Sequence, residues 1–201
     1  MADADTDSPA DLDDLPTYSF RASAMGATHT FRLGPDALYF EVGYHAGSVS
    51  YFTIRRMRLS FKPMSLASYR FIAEIWSDNT PKLTISSTSW RSVVEQQRQD
   101  AAYNAFVREL VHRIGASGST AELKTGTSPF AYWPGLAICA ALTMALPWIV
   151  FRGIEAGTYT GAALVAALLA LFAWQMGNLF WRNRPGVFRP DEIPPSVLPA
   201  G

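Results

Sequence analysis

A single cysteine, Cys139, is all the thiol chemistry this sequence contains, and it lies inside an apolar run. An internal disulfide and a cysteine-rich metal centre are therefore excluded, and a small packed residue facing a reducing compartment is expected. Histidine is nearly as scarce. His29, His45 and His112 fall in a loop, a turn and a helix, without metal-ligand spacing. There is no GxxxxGK[ST] phosphate loop, no HExxH and no GxSxG elbow. No cofactor is expected, and no catalytic residue is nominated. The first residues lack the basic start and apolar core of a signal peptide. Acids are missing from the two longest apolar windows as well, which argues against a transporter acting alone.

Those windows are the strongest positive feature. No charge occurs between Pro129 and Val150, or between Thr158 and Trp181. Each exceeds the roughly 20 residues that cross about 30 Å of hydrocarbon. We expect a transmembrane hairpin over 130–181, with spans at 130–151 and 159–181 joined by a turn around Gly153 to Gly157. Tyr132, Trp133, Trp148, Phe151, Tyr159 and Trp181 sit near the ends, where amphipathic rings favour the interface. Lys124 precedes the spans and Arg182, Arg184 and Arg189 follow, against Arg152 alone in the turn. The positive-inside rule then predicts both termini in the cytoplasm.

Small residues form ladders at Ala137, Ala141 and Ala145 on the first span, and at Ala162, Ala166, Ala170, Ala173 and Gly177 on the second. Such ladders let backbones approach closely in lipid, so they either zip the hairpin or offer a face to another protein. Gln175 and Asn178 are the strongly polar side chains of the second span. They mark either an intramembrane polar contact or reach the headgroups.

The net charge of zero conceals an asymmetry. Six Asp occupy the first 14 residues, whereas 15–115 holds twelve Lys and Arg against seven Asp and Glu. Residues 1–16 read as a disordered acidic leader ahead of a mildly basic domain over 17–115. Within it, Phe31, Leu33, Leu38, Phe40 and Val42 alternate around the turn signal Gly34-Pro35-Asp36, and a second break is expected at His45-Ala46-Gly47. Met57, Leu59 and Phe61 alternate with Arg56, Arg58, Ser60 and Lys62, which predicts a half-buried strand with a basic outer face. Tyr69 to Ile75 and Leu83 to Ile85 read as a hairpin. Ser92 with Glu95 has capping-box spacing, and Tyr103, Phe106, Val107, Leu110 and Ile114 make an apolar helical stripe ending near Gly115. The fold class predicted is α+β, a small antiparallel sheet or barrel capped by one helix.

That order resembles the bacterial pleckstrin-homology-like domains of small membrane proteins. The likeness rests on Ile54-Arg55-Arg56-Met57-Arg58-Leu59, the hairpin through Leu83 to Ser87, and the helix ending Ala105 to Leu110. It covers about half the chain and implies a binding or scaffolding module in a bacterial inner membrane, with no catalytic residues. Residues 116–129 are Gly/Ser/Thr-rich and predict a flexible linker. Residues 182–201 carry five prolines and predict either a disordered tail or an extended strap.

Arg55, Arg56, Arg58 and Lys62, joined by Arg21, Arg32 and Arg70, form the candidate contact set. A basic face tethered to a bilayer suits anionic headgroups or an acidic partner, or is simply solvated. Nucleic acid is not expected, because the excess charge is small and no reading motif accompanies it. The leading expectation is a non-catalytic accessory or scaffold subunit with a membrane-protein partner or a second copy of itself. A lipid-surface sensor is the alternative, and a small membrane enzyme is the third reading.

Overall fold

The computed structural model describes residues 15–64 and 69–199. These form two compact units, one comprising the chain up to 124 together with 187 onwards, the other 125–186. Nearly all of the predicted acidic leader lies outside the described residues.

The first unit opens with β1 (Thr17–Arg21), β2 (Thr28–Leu33), β3 (Ala37–Val42) and β4 (His45–Ser50), paired antiparallel in chain order. Alternation puts Tyr18, Phe20, Phe31, Leu33, Leu38, Phe40 and Val49 on one buried face. Phe31 lies opposite Phe40 and Leu33 opposite Leu38, so the predicted β2–β3 hairpin is present in register. The expected break at His45 to Gly47 is not: those residues lie inside β4. The turn falls instead at Gly43-Tyr44, closed by the Val42–His45 pair, because Gly43 takes a φ of 65° that side-chain-bearing residues avoid.

After a 3₁₀ turn at Tyr51–Thr53 come β5 (Ile54–Pro63), β6 (Tyr69–Ser77) and β7 (Leu83–Ser86). Met57 pairs with Ile75, Leu59 with Ala73 and Phe61 with Phe71, all buried. A small hairpin, β8 (Thr88–Trp90) and β9 (Gln96–Arg98), leads into α1 (Asp100–Ala116). Ser92 and Glu95 therefore do not start the helix. The Ser92 hydroxyl accepts from Glu95 N–H at 3.2 Å, and Arg91 N–H donates to Glu95 C=O at 2.9 Å, within the β8–β9 turn. The same side-chain-to-backbone bond closes turns and caps helices, so spacing alone does not separate them.

α1 buries Tyr103, Phe106, Val107, Leu110, Val111 and Ile114. Tyr18 meets Tyr103 edge-on and Phe106 tilted, at ring separations of 6.1 and 5.5 Å. Arg113 fastens the helix to the β2–β3 turn by donating to Leu33 C=O at 2.9 Å, and its guanidinium is paired with Glu109.

The segment read as a linker contains a strand, β10 (Glu122–Thr125), at the edge of β5. The proline-rich tail returns as β11 (Gly186–Val187) beside β10, giving the order β11-β10-β5-β6-β7. Phe188 N–H donates to Leu123 C=O at 3.0 Å, and Phe188, Val197 and Leu198 are buried. The tail is thus a strap on the chain's own domain; its prolines confine it to edge pairing and extended backbone. Both large sheets are open rather than closed into a barrel.

The second unit is a helical pair, α2 (Pro129–Glu155) and α3 (Tyr159–Arg182). By length and composition both helices can cross a membrane. Phe130, Trp133, Trp148, Leu168 and Trp174 among others are exposed along them, an apolar surface suited to hydrocarbon rather than water. At the turn, Thr158 N–H and Oγ1 both donate to Gly153 C=O. A Cβ on Gly153 would stand 3.4 Å from Ala162 Cβ, so the helices are in close contact there.

Candidate functional site

The outer face of β5–β7 carries the charged residues. Register sets Arg56 against Trp76, Arg58 against Glu74, Ser60 against Ile72 and Lys62 against Arg70, but Ser60 and Ile72 are buried, so the row expected to face outward is interrupted between Arg58 and Lys62. Arg55 does not join this row. A register shift between Ile54 and Arg56 diverts it, and it pairs with Asp78 at 2.7 Å, holding that carboxyl below the usual carboxylate range. Arg56 Nε lies 3.2 Å from Glu122 Oε2, which Lys124 also meets at 2.7 Å; the two cations pull the Glu122 pKa down.

Trp76 is the centre of this face. The Arg58 guanidinium stands 5.4 Å from its ring centroid, Arg56 6.0 Å, and Lys82 Nζ 5.8 Å. Cations over an indole face are attracted by the ring quadrupole. Neither Trp76 nor Lys82 was nominated from sequence. The available signal was phase: Trp76 falls on the outward parity of β6, between buried Ile75 and half-buried Ser77.

Lys62 belongs to a different feature. With Arg70, Glu74 and Lys82 it lines a cavity of about 220 Å³, walled also by Phe20, His29, Thr84, Ser86, Thr88 and Trp90. Glu74 accepts from Lys82 at 2.8 Å. Arg70 Nε is buried and has no hydrogen-bond partner among the described residues. His29 stacks edge-on to Phe20 at 5.2 Å, and burial lowers its pKa.

The remaining predicted cations are dispersed. Arg32 is engaged with Glu41 on the first sheet, and the Arg21 N–H donates to Ser89 Oγ at 3.0 Å. Among the described residues no group of three His, Cys, Asp or Glu side chains is arranged to hold a metal.

On the hairpin, Ala162 is buried and Ala166 and Ala173 half-buried, whereas Ala137, Ala141, Ala145, Ala170 and Gly177 are exposed. The first ladder therefore does not zip the hairpin. The inward positions of α2 are held by Tyr132, Leu136, Cys139, Thr143 and Val150. Gln175 is half-buried and Asn178 exposed. A groove of about 720 Å³ runs along the pair, lined by Tyr132, Trp133, Leu136, Phe180, Trp181 and Arg184 among others.

These features define a class: a β-rich domain joined to two helices apolar enough to span a membrane. No family model matches the chain, and no curated protein or solved structure is significantly similar to it.

Proposed function

We propose that this chain is a membrane-anchored, non-catalytic interaction module, an accessory or scaffold subunit of a larger assembly in a bacterial inner membrane. The observation that carries the reading is the Trp76 cluster with Arg56, Arg58 and Lys82. Tryptophan and arginine are the side chains that dominate protein–protein contact energies, and Arg58, without an ion pair among the described residues, is left to meet an acidic group of a partner. A four-stranded meander, the β5–β7 meander, the β8–β9 hairpin and then α1, in that order, support the pleckstrin-homology-like reading. The hairpin is its anchor, with both termini cytoplasmic by the distribution of arginine.

The test is purification of the intact chain from its native membranes in mild detergent, followed by identification of what remains attached. A partner retained by the parent and by Arg91→Ala, but lost from Trp76→Ala, supports the reading. A partner profile indifferent to Trp76 refutes it.

A second reading, contact with anionic headgroups, draws on Arg58 and Lys62, which have no ion pair among the described residues. Arg55, Arg56 and Lys82, by contrast, are already neutralised by Asp78, Glu122 and Glu74. This leaves few of the roughly 1 kcal/mol increments that adhesion to an anionic surface needs.

A further inference from the structure

We propose that the cavity between Lys62, Arg70, Lys82 and Trp90 is a binding site for a phosphoryl group, adjoining the Trp76 cluster through their shared Lys82. Three cations, Lys62, Arg70 and Lys82, face one acid, Glu74, so two positive charges are left over within the same walls. A phosphate monoester carries close to two negative charges near neutral pH, which matches that excess; a carboxylate carries one.

Like charges set directly across a strand pair are unfavourable, and Lys62 lies opposite Arg70 in the β5–β6 register. An anion between them converts that repulsion into attraction. Arg70 brings the planar donor fork that matches phosphoryl oxygens, and its Nε is a buried donor without a partner among the described residues. Thr84 and Thr88 add hydroxyl groups on the strand side, while Phe20 and Trp90 give an apolar wall for whatever carries the phosphoryl group. At about 220 Å³ the cavity is below the roughly 300 Å³ at which drug-sized ligand sites begin, so it takes a headgroup-sized moiety rather than a large molecule.

The chemistry is shared by soluble phosphomonoesters and by the headgroup of phosphatidic acid, and two arms separate them. In the first, the intact chain in phosphatidylcholine nanodiscs is titrated with inorganic phosphate against chloride at equal ionic strength, with the domain's melting temperature and amide chemical shifts as readouts. Phosphate should raise the melting temperature above the chloride control and shift amides of β5, β6 and β7. Lys62→Gln and Arg70→Gln should each weaken binding about tenfold or more, since charge-assisted hydrogen bonds are removed. Arg70→Lys should fall between, and Arg55→Gln should leave binding unchanged.

In the second arm phosphatidic acid is placed in the nanodisc. Competition with inorganic phosphate assigns the site to a lipid headgroup, and its absence assigns it to a soluble phosphate. Melting in chloride checks that each variant folds; if Arg70→Gln does not, Lys62→Gln and Arg70→Lys decide. The proposal is overturned if phosphate acts no differently from chloride, or if Arg55→Gln weakens binding as much as Lys62→Gln, since the attraction then belongs to the whole face.

Discussion

Leu59 and Arg58 are chain neighbours in β5 with opposite fates, one fully buried against the Ala73 strand and the other half-exposed over Trp76. Leu59→Ala is expected to cost about 2–5 kcal/mol, because it removes transfer free energy and leaves a cavity at a fully buried position. Arg58→Ser is expected to cost no more than about 1 kcal/mol, the scale of a cation–π contact at an exposed site. Chemical denaturation of the two variants side by side checks this; comparable losses would mean that the outer face is packed against something. His29 gives the residue scale its pH dependence. Burial lowers its pKa in the folded chain, so between that value and the ordinary value of about 6.5 the unfolded chain binds more protons. Stability attributable to His29 is therefore complete above about pH 6.5 and declines as pH falls through that window. His29→Gln should flatten this part of the melting-temperature profile, and an unchanged slope would show that another group sets it.

Elements differed in how far local pattern could reveal them. β2, β3, β5 and the α1 stripe were legible because period-2 and period-3.6 alternation report directly which side is buried: Phe31 and Leu33, Met57 and Leu59, Tyr103 and Leu110. β10 and β11 were not, because their pairing is non-local. Glu122–Thr125 has one buried apolar side chain, Leu123, and gains its strand character from β5 and from a tail segment over sixty residues later. The same limit hid the site: Lys62 and Arg70 were in the candidate set, but the strand pairing that sets them opposite each other and brings in Lys82 from the loop before β7 is non-local. The strap makes a distinct prediction. Phe188 is 7 % exposed, and Gly115 accepts Pro190 so closely that a Cβ there would lie 2.7 Å from it. Phe188→Ala should destabilise the β-rich unit by about 3–5 kcal/mol although it lies beyond both apolar helices in sequence. Hydrogen exchange should show amides of β10 opening first. A loss below about 0.5 kcal/mol would mean that the tail lies on the domain without stabilising it.

At the scale of the whole molecule, the chain leaves the β-rich unit after Lys124 and rejoins it at Val187, with β10 and β11 side by side on one sheet edge. The helical pair is in effect an insertion between two paired strands. Gly126, with a φ of 71°, lets Thr127 N–H donate to Asn183 C=O at 3.0 Å, so the two arms are tied together at the base of the insertion as well. This connectivity bears on topology more strictly than charge counting does. A sheet whose edge strands flank the hairpin cannot have one flank on each side of a bilayer, so an even number of crossings is required if the helices are spans. With Lys124, Arg182, Arg184 and Arg189 at the flanks, the expected arrangement is a cytoplasmic domain and a periplasmic turn at Ala156. Cysteine labelling tests it in a Cys139→Ala background. Ala156→Cys, in the turn, should react with a membrane-impermeant maleimide in intact cells. Val94→Cys, at a position 92 % exposed in the β8–β9 turn, should react only after lysis. Labelling of Val94→Cys before lysis with Ala156→Cys protected would invert the orientation. Labelling of both would mean that the helices do not cross, and labelling of neither until lysis would place the whole chain inside the cell without a periplasmic turn.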